Sequence, residues 1–438
     1  MATRKRSRAA VRTAEERPLL FVNAAQVVTC AGPARSRRGP EMKELAIAKN
    51  VAVLAANGVV KAVGPRAELR ALAKSVAEVD CKGGVLMPAM VDSHTHAVFG
   101  AARYAEHEMR ASGMDYMQIA RQGGGIHSSV RDVRERSERE LVELARNRLR
   151  RLASFGVGTI EVKSGYGLSL EDELKLLRVI QKLARELPIR LVPTFLGAHE
   201  VPLEYREPSS RRREYIELVV REMIPRVAAD KLARFADVFC ETGVYTADES
   251  REILNAAKAA GLGLKLHADE LTACGGAELA AQVGATSADH LAAISEAGVR
   301  ALAGGGTVAT LLPATMVFLG KTGQAPARRL INAGIPVALA TDFNPGTSPT
   351  MGLPLVLTLG VSQLRLSAAE SIIAATVNGA AAVGLADRVG QISPGFEADL
   401  ALFDASDFRE VPYWLGARLC RELWTRGKAC GLHNLDVI

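Results

Sequence analysis

Residues 85–100 read VLMPAMVDSHTHAVFG, an apolar run that ends in two histidines separated by one residue. Alternate residues of an extended strand point to the same side, so His94 and His96 would direct their rings toward one point if the strand continues through Thr95. Such a pair suits a metal ion. Two surface histidines at the end of a strand are the alternative, and this stretch alone does not separate the two interpretations.

The composition predicts a soluble globular chain. Of its 438 residues, 48% are hydrophobic, which is enough for a large core, and no apolar run approaches the roughly 18 residues that a membrane span needs. The six cysteines are scattered without a CxxC pair, and no signal-peptide pattern is found. We therefore expect a reduced, cytoplasmic protein without a membrane partner.

The net charge of +7 is concentrated in the first residues of the chain. Residues 1–18 contain six Lys or Arg and two Glu, so a charge of only +3 remains for the rest. This composition cannot bury a core, and it predicts a disordered basic tail. A nucleic-acid-binding arm or a targeting peptide is the alternative, but the tail has no aromatic residue for base stacking. We therefore expect no nucleic-acid partner.

Both ends of the chain are rich in β-type sequence. Residues 19–84 contain short apolar segments with Asn57-Gly58 at a hairpin turn, and residues 390–438 return to similar text. We predict that the two regions form one small composite β domain. Between them, residues 85–389 alternate short apolar runs with amphipathic helices, which is typical of repeated βα units.

The central region contains eight strand candidates, and two of its helix starts have capping-box spacing. These are Ser137 with Glu140 and Thr246 with Glu249. Eight strand-helix units predict an α/β fold, a (β/α)₈ TIM barrel, in which functional groups lie at the C-terminal ends of the strands. In chain order the candidates are AMVDSHTH, GTIEVKSG, IRLVPTFLGAH, ADVFCETG, LGLKLHADE, TSADHL, TVATLLPA and IPVALATDFNPG.

Five of the eight histidines lie at the ends of these strands. Asp342 ends the eighth strand, which lies beside the first once a barrel closes. Each residue alone could be an ordinary satisfied polar group, but three imidazoles and one carboxylate together predict a Zn²⁺ or Fe²⁺ site with an open position for water. The predicted ligands are His94, His96, His267 and Asp342, and the other two strand-end histidines are His199 and His290.

This arrangement resembles the amidohydrolase superfamily and, within it, the imidazolonepropionase family. The resemblance runs from Leu19 to the C-terminus. It implies metal-dependent hydrolysis of the ring amide of 4-imidazolone-5-propanoate to N-formimidoyl-L-glutamate, a step of histidine degradation. The motifs that carry it are VDSHTHAVFG, GGGI, TIEVKSGYGL, FLGAHEVP, VFCETGVY, LHADE, GGAELA, SADHL and ALATDFNPGTSPT.

The resemblance also bears on the number of metals. Many members of the superfamily bind two ions, which are bridged by a carboxylated lysine from the fourth strand. Here that strand ends in Cys240-Glu241, without a lysine. Lys163 follows the second strand, where the resemblance implies a substrate loop and the alternative is an ordinary surface or structural lysine. We therefore predict one metal ion per chain.

Two residues are candidates for proton transfer. Glu270 follows His267 by three residues in HADE and could carry a proton between water and the ring nitrogen. His290 is not needed to complete the ligand set, so it could orient water or stabilise the oxyanion. The alternatives are a helix-terminal carboxylate for Glu270 and support of a metal ligand for His290.

The propionate of the implied substrate needs a cationic anchor. Arg103 lies in the loop after the first strand, and loops after neighbouring strands open on the same face of a barrel. A surface arginine is the alternative. The resemblance adds the segment NPGT, whose polar groups would hold the ring and the amidine. The predicted substrate contacts are Arg103, Tyr166, His199, Glu270, Asn344, Gly346 and Thr347.

Two other functions compete with this hypothesis. A deaminase of the same superfamily would act on a ring like that of cytosine or guanine, and a neutral base does not require Arg103 together with Tyr166. A non-catalytic assembly protein on this scaffold would have lost ligands, and none is lost here. The sequence predicts a small-molecule substrate with a carboxylate and leaves the oligomeric state open, with a homodimer among the alternatives.

Overall fold

The structure is a computed structural model, and most of the basic tail lies outside the residues that it describes. The disorder predicted for residues 1–18 therefore remains a prediction, because only Arg17 and Pro18 of this tail are among the described residues. The described residues are 17–73, 75–114, 118–119, 123–208 and 210–431.

Eight parallel strands form the central sheet, and their order in the sheet follows the chain. All eight predicted strands are present, which confirms the (β/α)₈ barrel; its strands are β8 to β15. In chain order the strands of the described residues are β1 (Leu19–Val22), β2 (Gln26–Val28), β3 (Ile47–Ala48), β4 (Ala52–Ala56), β5 (Val59–Gly64), β6 (Ala77–Asp80), β7 (Val85–Pro88), β8 (Met90–Asp92), β9 (Val157–Lys163), β10 (Arg190–Ala198), β11 (Phe235–Cys240), β12 (Gly263–Ala268), β13 (Ser287–His290), β14 (Val308–Leu311), β15 (Val337–Leu339), β16 (Leu400–Phe403), β17 (Cys420–Thr425) and β18 (Lys428–Ala429).

Most helices follow a barrel strand. None of those in the described part of the chain has the length and apolar character needed to span a membrane. The α-helices are α1 (Arg66–Leu72), α2 (Tyr104–Ala111), α3 (Ile126–Glu135), α4 (Glu138–Ala153), α5 (Leu170–Glu186), α6 (Ser210–Leu218), α7 (Ile224–Ala229), α8 (Ala247–Ala259), α9 (Gly276–Val283), α10 (Glu296–Ala303), α11 (Pro313–Phe318), α12 (Ala327–Asn332), α13 (Leu353–Ser362), α14 (Ala368–Ala375), α15 (Val377–Ala382) and α16 (Glu410–Tyr413).

The two capping boxes and the hairpin turn that the sequence predicts are present in the structure. Ser137 and Thr246 each cap a helix by accepting from the backbone N–H three residues on, and the glutamate at that position bonds back to the cap. Asn57 and Gly58 both have positive φ, as a two-residue hairpin turn between β4 and β5 requires.

The barrel closes between β15 and the segment that follows β8. The amide of Asp342 donates to the carbonyl of His94 at 3.0 Å, and the amide of His96 donates to the carbonyl of Phe343 at 2.8 Å. Thr95 and Phe343 form an isolated parallel bridge. This pairing continues the first strand past its last regular residue, so both histidines stay in the barrel wall at its C-terminal end.

Two smaller sheets combine the chain ends into the predicted composite β region. One has the order β5-β4-β1-β6 and the other β18-β17-β16-β7-β2-β3. Strand β7 pairs with β2 and β16, so the barrel begins at β8, whereas the sequence prediction began it at residue 85. The two strands read as one apolar run, and composition does not show that the chain changes sheets at Ala89. The outer boundaries, residues 19–84 and 390–438, remain predictions.

Contacts across this region join the chain ends to each other and to the barrel. The rings of Phe21 and Trp424 meet edge to face with centroids 4.9 Å apart. Arg190, at the start of barrel strand β10, lies 2.6 Å from the carboxylate of Asp399. The small sheets are therefore packed onto the barrel.

Deleting residues 1–16 is expected to leave turnover and the melting temperature unchanged. Strand β1 begins at Leu19, and the first described backbone contact is the hydrogen bond from the amide of Ala77 to the carbonyl of Pro18 at 2.8 Å, which the truncated chain retains. Steady-state kinetics and calorimetry on both proteins make the comparison. A clear loss of either quantity would show that the tail contributes to the fold or to the site.

Candidate active site

The four predicted metal ligands meet at the C-terminal end of the barrel. The Nε2 atoms of His96 and His267 are 3.4 Å apart. Asp342 Oδ1 lies 3.5 Å from His94 Nε2 and 3.6 Å from His96 Nε2. Bonds of about 2.0 to 2.2 Å to a tetrahedral Zn²⁺ separate neighbouring ligand atoms by roughly 3.3 to 3.6 Å. Three of the six distances among the four donor atoms therefore match one coordination sphere. His94, His96 and Asp342 form one candidate metal triad, whereas His267 belongs to other candidate triads.

The protonation of these groups also suits a metal ion. Burial lowers the pKa of His94 and of His96 well below the usual range, and nearby cationic groups act in the same direction. The rings are therefore neutral, which is the form that coordinates a metal. His94 Nε2 is buried and has no hydrogen-bond partner among the described residues. Burial raises the pKa of Asp342 to about 6, against a hydrogen bond from Thr315.

Two carboxylates that the sequence analysis missed lie beside the Nδ1 atoms of two predicted metal ligands. His94 Nδ1 forms a hydrogen bond of 2.6 Å with Asp289 Oδ2. His267 Nδ1 lies 3.0 Å from Asp237 Oδ2 but has no hydrogen-bond partner among the described residues. A carboxylate at Nδ1 favours a proton there and leaves the lone pair of Nε2 for a metal. The available signal was a charged residue inside an apolar strand, since Asp237 lies within β11 and Asp289 within β13.

The other two strand-end histidines stand beside the ligand rings. His199 stacks on His96 with ring centroids 5.0 Å apart, and the centroids of His290 and His267 are 5.2 Å apart. Each can form an alternative metal triad, either His199 with His96 and His267 or His290 with His94 and His267. The structure brings all five histidines together, and the division between ligands and other roles remains a prediction.

Glu270 lies in a loop beside His290, with Oε2 3.5 Å from His290 Nδ1. The alternative role at a helix start is wrong, because α9 begins at Gly276 and the carboxylate of Asp269 accepts its first amides. Burial raises the pKa of Glu270 to about 8, and the charge of Asp342 adds to the shift. A carboxyl group with a pKa near neutrality can both accept and release a proton.

Lys163 differs from the loop residue that the resemblance implied. It is the last residue of β9 and is fully buried, with Nζ 2.7 Å from Asp237 Oδ2 and 2.9 Å from Glu161 Oε1. Burial alone would lower the pKa of Lys163, but the charges of Asp237, Glu161 and Asp289 outweigh burial and raise it. Lys163 is therefore a charged ion-pair partner inside the barrel.

The Arg103 side chain is largely buried against the NPGT segment, so the surface alternative is wrong. A Cβ at Gly346 would lie 1.5 Å from Arg103 Nη2, so the guanidinium lies directly on the glycine. Nε is 3.7 Å from Glu106 Oε2. Nε and Nη1 are buried without a hydrogen-bond partner in the described part of the chain. A buried guanidinium with unused donors suits a carboxylate ligand.

Tyr166 and His199 share this buried region. The Tyr166 ring centroid lies 5.9 Å from that of His96 and 5.4 Å from that of His199. Burial raises the pKa of Tyr166, and the charge of Arg103 opposes the shift. Burial lowers the pKa of His199 to about 3, with Arg103 among the groups that act in the same direction. A phenol, a neutral imidazole and a guanidinium therefore lie close to the predicted ligands.

The side chain of Asn344 shapes the loop after β15. Its Oδ1 accepts from the amides of Gly346 at 2.9 Å and Thr347 at 2.7 Å, and its Nδ2 donates to the carbonyl of Asp342 at 2.7 Å. An asparagine that bonds nearby backbone in this way builds a turn. Its oxygen is thus bonded within the loop, and one of its two Nδ2 hydrogens is used in the bond to Asp342. The predicted contact of Asn344 with the substrate remains a prediction. The contacts predicted for Gly346 and Thr347 remain predictions.

Similarity to known proteins decides the family. Residues 108–429 match the amidohydrolase family. A protein named imidazolonepropionase from Geobacillus kaustophilus (strain HTA426) is 46% identical over 417 residues, which cover 94% of this chain and 97% of that protein. Another of that name, from Solibacter usitatus (strain Ellin6076), is 45% identical and covers 93% of this chain and 97% of its own length. The chain belongs to the imidazolonepropionase family. It is a hydrolase, and the resemblance seen in its motifs is confirmed.

Solved structures share the fold of this imidazolonepropionase family member at much lower identity. An adenosine deaminase from Xanthomonas campestris with bound zinc has a TM-score of 0.69 and 19% identity, covering 95% of this chain and 93% of its own. The A. niger ochratoxinase has a TM-score of 0.67 and 16% identity, covering 94% and 95%. Likeness at this level concerns the fold alone.

Proposed function

We propose that the chain hydrolyses the ring amide of 4-imidazolone-5-propanoate to N-formimidoyl-L-glutamate. The observation that carries this proposal is the buried Arg103 guanidinium, which has two donors without a partner among the described residues. It lies near a cluster of side chains that could hold a metal ion. The name shared by relatives that are 43% to 47% identical supports the same substrate. Hydrolysis adds the oxygen of water to the ring carbonyl carbon, breaks the C–N bond and delivers a proton to the released nitrogen.

One divalent ion, Zn²⁺ or Fe²⁺, is the proposed cofactor, with His94, His96, His267 and Asp342 as its ligands. The contacts of 3.4 to 3.6 Å that link their donor atoms, and the lowered pKa values of buried His94 and His96, support this assignment. Such an ion supplies Lewis acidity, which polarises a carbonyl and makes water a stronger nucleophile near neutral pH.

Glu270 and His290 are proposed to handle the protons and the developing charge. Glu270 would take a proton from the attacking water and return it to the ring nitrogen that leaves, which its raised pKa supports. His290, buried beside both Glu270 and His267, would orient the water or hold the carbonyl oxygen. Their contact at 3.5 Å allows the two groups to act together.

The propionate is proposed to bind between Arg103, Tyr166 and His199. Arg103 lies against Gly346 in the loop that follows the ligand Asp342, so the anchor and the proposed metal are coupled through one short segment. A carboxylate held there would fix the distance from the propionate to the reacting carbonyl, and such positioning accelerates a reaction without new chemistry.

The direct test is an assay with freshly generated imidazolone propionate. The metal-loaded full-length protein should remove the ring absorbance and form one N-formimidoyl-L-glutamate per substrate consumed. Release of ammonia from cytosine or guanine, without turnover of imidazolone propionate, would favour a deaminase. Failure to act on any of these substrates would leave the non-catalytic alternative.

Arg103→Met is expected to reduce kcat/KM by roughly 30- to 1000-fold, because a charge-assisted bidentate contact contributes on the order of 2 to 4 kcal/mol. Metal content should not change. The loss should lie mainly in KM if the contact is equally strong in the ground and transition states, and also in kcat if it aligns the ring. Arg103→Lys should recover activity only in part, because an ammonium lacks the planar fork.

A ring analogue without the carboxylate separates anchoring from support of the loop. Wild type should process the analogue poorly, and Arg103→Met should be scarcely worse on it than wild type. Arg139→Met, at an exposed arginine of α4, is the matched control and should behave as wild type on both compounds. An equal loss on both compounds for Arg103→Met would assign Arg103 to loop support and remove the main argument for the substrate.

We also propose that the protein works in the cytoplasm on a free small molecule. The support is its six cysteines, which are scattered without a CxxC pair. Fractionation of cells that produce the full-length chain tests this location. Membrane or secreted protein as the main pool would contradict it.

A further inference from the structure

The barrel interior next to the predicted ligands holds a set of fully buried charges. We call it the lysine network; its members come from strands β9, β11, β12 and β13. Lys265 precedes His267 by two residues on β12, so both side chains point to the same side of that strand, with the lysine farther from the barrel mouth. The members are Lys163, Lys265, Glu161, Asp237 and Asp289.

The two ammonium groups are shared among the three carboxylates. Lys163 Nζ lies 2.9 Å from Glu161, 2.7 Å from Asp237 and 3.6 Å from Asp289. Lys265 Nζ lies 3.1 Å from Glu161 and 3.6 Å from Asp289. Removing such charges from water is costly, and apolar packing of the same volume is often as stable. Stability alone therefore does not account for five charges at this place.

Contacts with the ligand rings offer a reason. Asp237 Oδ1 accepts from the backbone amide of His267 at 3.1 Å, and Asp237 Oδ2 lies 3.0 Å from Nδ1 of the same residue. The latter oxygen is also the one that contacts Lys163 Nζ. One carboxylate thus joins a buried ammonium to a predicted metal ligand. Asp289 has the same place between both lysines and Nδ1 of His94.

The network also bears on a second metal site. His94, Glu161 and Asp289 bring three ligand atoms close enough to hold an ion. The ammonium groups of Lys163 and Lys265 already lie within 3.6 Å of these carboxylates and balance their charge. A second cation there would be repelled by two fixed positive charges. The carboxylates of Glu161 and Asp289 are therefore ion-pair partners of the two lysines.

We propose that Lys163 is a positioning residue for the metal site and acts through Asp237 on His267. Its ammonium balances and orients the carboxylate, which fixes the His267 ring with Nε2 directed at the ligand cluster. Lys265 gives weaker support of the same kind to Asp289 and His94. The inference rests on the proposed metal site.

The expected consequence is a change in metal affinity. Without Lys163, Asp237 would lie among Glu161 and Asp289 with one positive charge fewer, and like charges would turn it from His267. Loss of a partner that orients a ligand weakens metal binding by about 10- to 100-fold. Lys163 reaches His267 through the carboxylate of Asp237. The effects of substituting Lys163 and Asp237 on metal affinity should therefore not be additive.

A double-mutant cycle on the full-length protein tests the inference. The Zn²⁺ dissociation constant is measured by competition with a chromogenic chelator for wild type, Lys163→Met, Asp237→Asn and the double variant. Each single variant should bind about 10- to 100-fold more weakly, and the double variant should be within roughly threefold of Asp237→Asn. Lys258→Met is the control, because its ammonium donates to the carbonyl of Val283 at 2.9 Å on the outer helices, and its affinity should equal that of wild type.

Spectra of the Co²⁺-loaded proteins report the ligand geometry directly. The visible bands should shift in Lys163→Met and Asp237→Asn and stay unchanged in Lys258→Met. The double variant removes both charges of the Lys163–Asp237 pair, so it buries neither of them without its partner. Its metal affinity relative to that of Asp237→Asn therefore tests the role of Lys163 even if Lys163→Met does not fold.

Two results would overturn the inference. One is wild-type affinity in Asp237→Asn, and the other is a further tenfold loss in the double variant relative to Asp237→Asn. Failure of wild type to bind one Zn²⁺ per chain would instead refute the proposed metal site. Normal binding by wild type and by all variants would refute only the role of Lys163.

Discussion

His267→Ala is expected to abolish metal binding and hydrolysis together. Nε2 of this residue lies 3.4 Å from that of His96, its backbone amide donates to Asp237, and its Nδ1 lies 3.0 Å from the same carboxylate. The variant loses one of the four proposed metal ligands and leaves the buried carboxylate of Asp237 without its neighbouring imidazole. If the ion contributes several kcal/mol to the transition state, kcat/KM should fall by at least about 10⁴-fold.

Elemental analysis and kinetics on the same preparations check this result. Wild type should contain one Zn²⁺ or Fe²⁺ per chain, and exhaustive chelation should remove the activity. His107→Ala is a suitable control, because His107 is exposed and stacks on Phe318 and has no ring contact with a predicted ligand among the described residues. Two stoichiometric metals in wild type, or full metal content in His267→Ala, would contradict the proposed ligand set.

The barrel could be predicted because each strand carries its own local signal. Short apolar runs such as the one in β9 are bounded by glycine and are followed by helices with polar caps, and these features depend only on neighbouring residues. The strand-end histidines followed from the same reasoning, since all parallel strands of a barrel end on one face. Where two strands were continuous in the sequence, as in β7 and β8, the change of sheet could not be seen.

The buried charged residues that contact the predicted metal ligands could not be predicted, because these contacts depend on how distant strands align. Asp289 meets His94 across 195 positions of sequence, and the register of β13 against the closing strands decides which of its side chains reaches the ring. A buried pair such as Glu161 and Lys163, two residues apart on one strand, did carry a signal. Charges at alternate positions of an apolar strand indicate an interior ion-pair network. The sequence analysis left Lys163 open between a substrate loop and an ordinary surface or structural lysine, and its buried ion pairs fit the structural alternative.

Asn344 shows the same limit in a loop. The segment NPGT was predicted to contact the substrate because of its resemblance to the family, and its polar atoms were counted as available. In the fold, the asparagine oxygen accepts from three amides of its own turn. The sequence could not show that this oxygen is bonded to the backbone of its own tight loop. The contact of the segment with the substrate remains a prediction.

Glu270→Gln is expected to lower kcat by about 10²- to 10⁴-fold while metal content stays that of wild type. Glutamine has nearly the same shape and keeps the loop, whose helix is capped by Asp269 instead. It cannot take a proton from water and return it to nitrogen. Glu214→Gln is the matched control at an exposed glutamate and should leave kcat unchanged. A near-normal rate for Glu270→Gln would exclude proton transfer by this residue.

The pH profile tells a proton carrier from a group that only shapes the pocket. Burial raises the pKa of Glu270, so its carboxylate, the form that accepts a proton from water, becomes populated as pH rises through that pKa. Wild-type kcat should increase over this interval, and Glu270→Gln should lose this limb of the profile as well as its rate. A variant that is slow but keeps the wild-type limb would assign the titration to another group, and Glu270 would then act by packing alone.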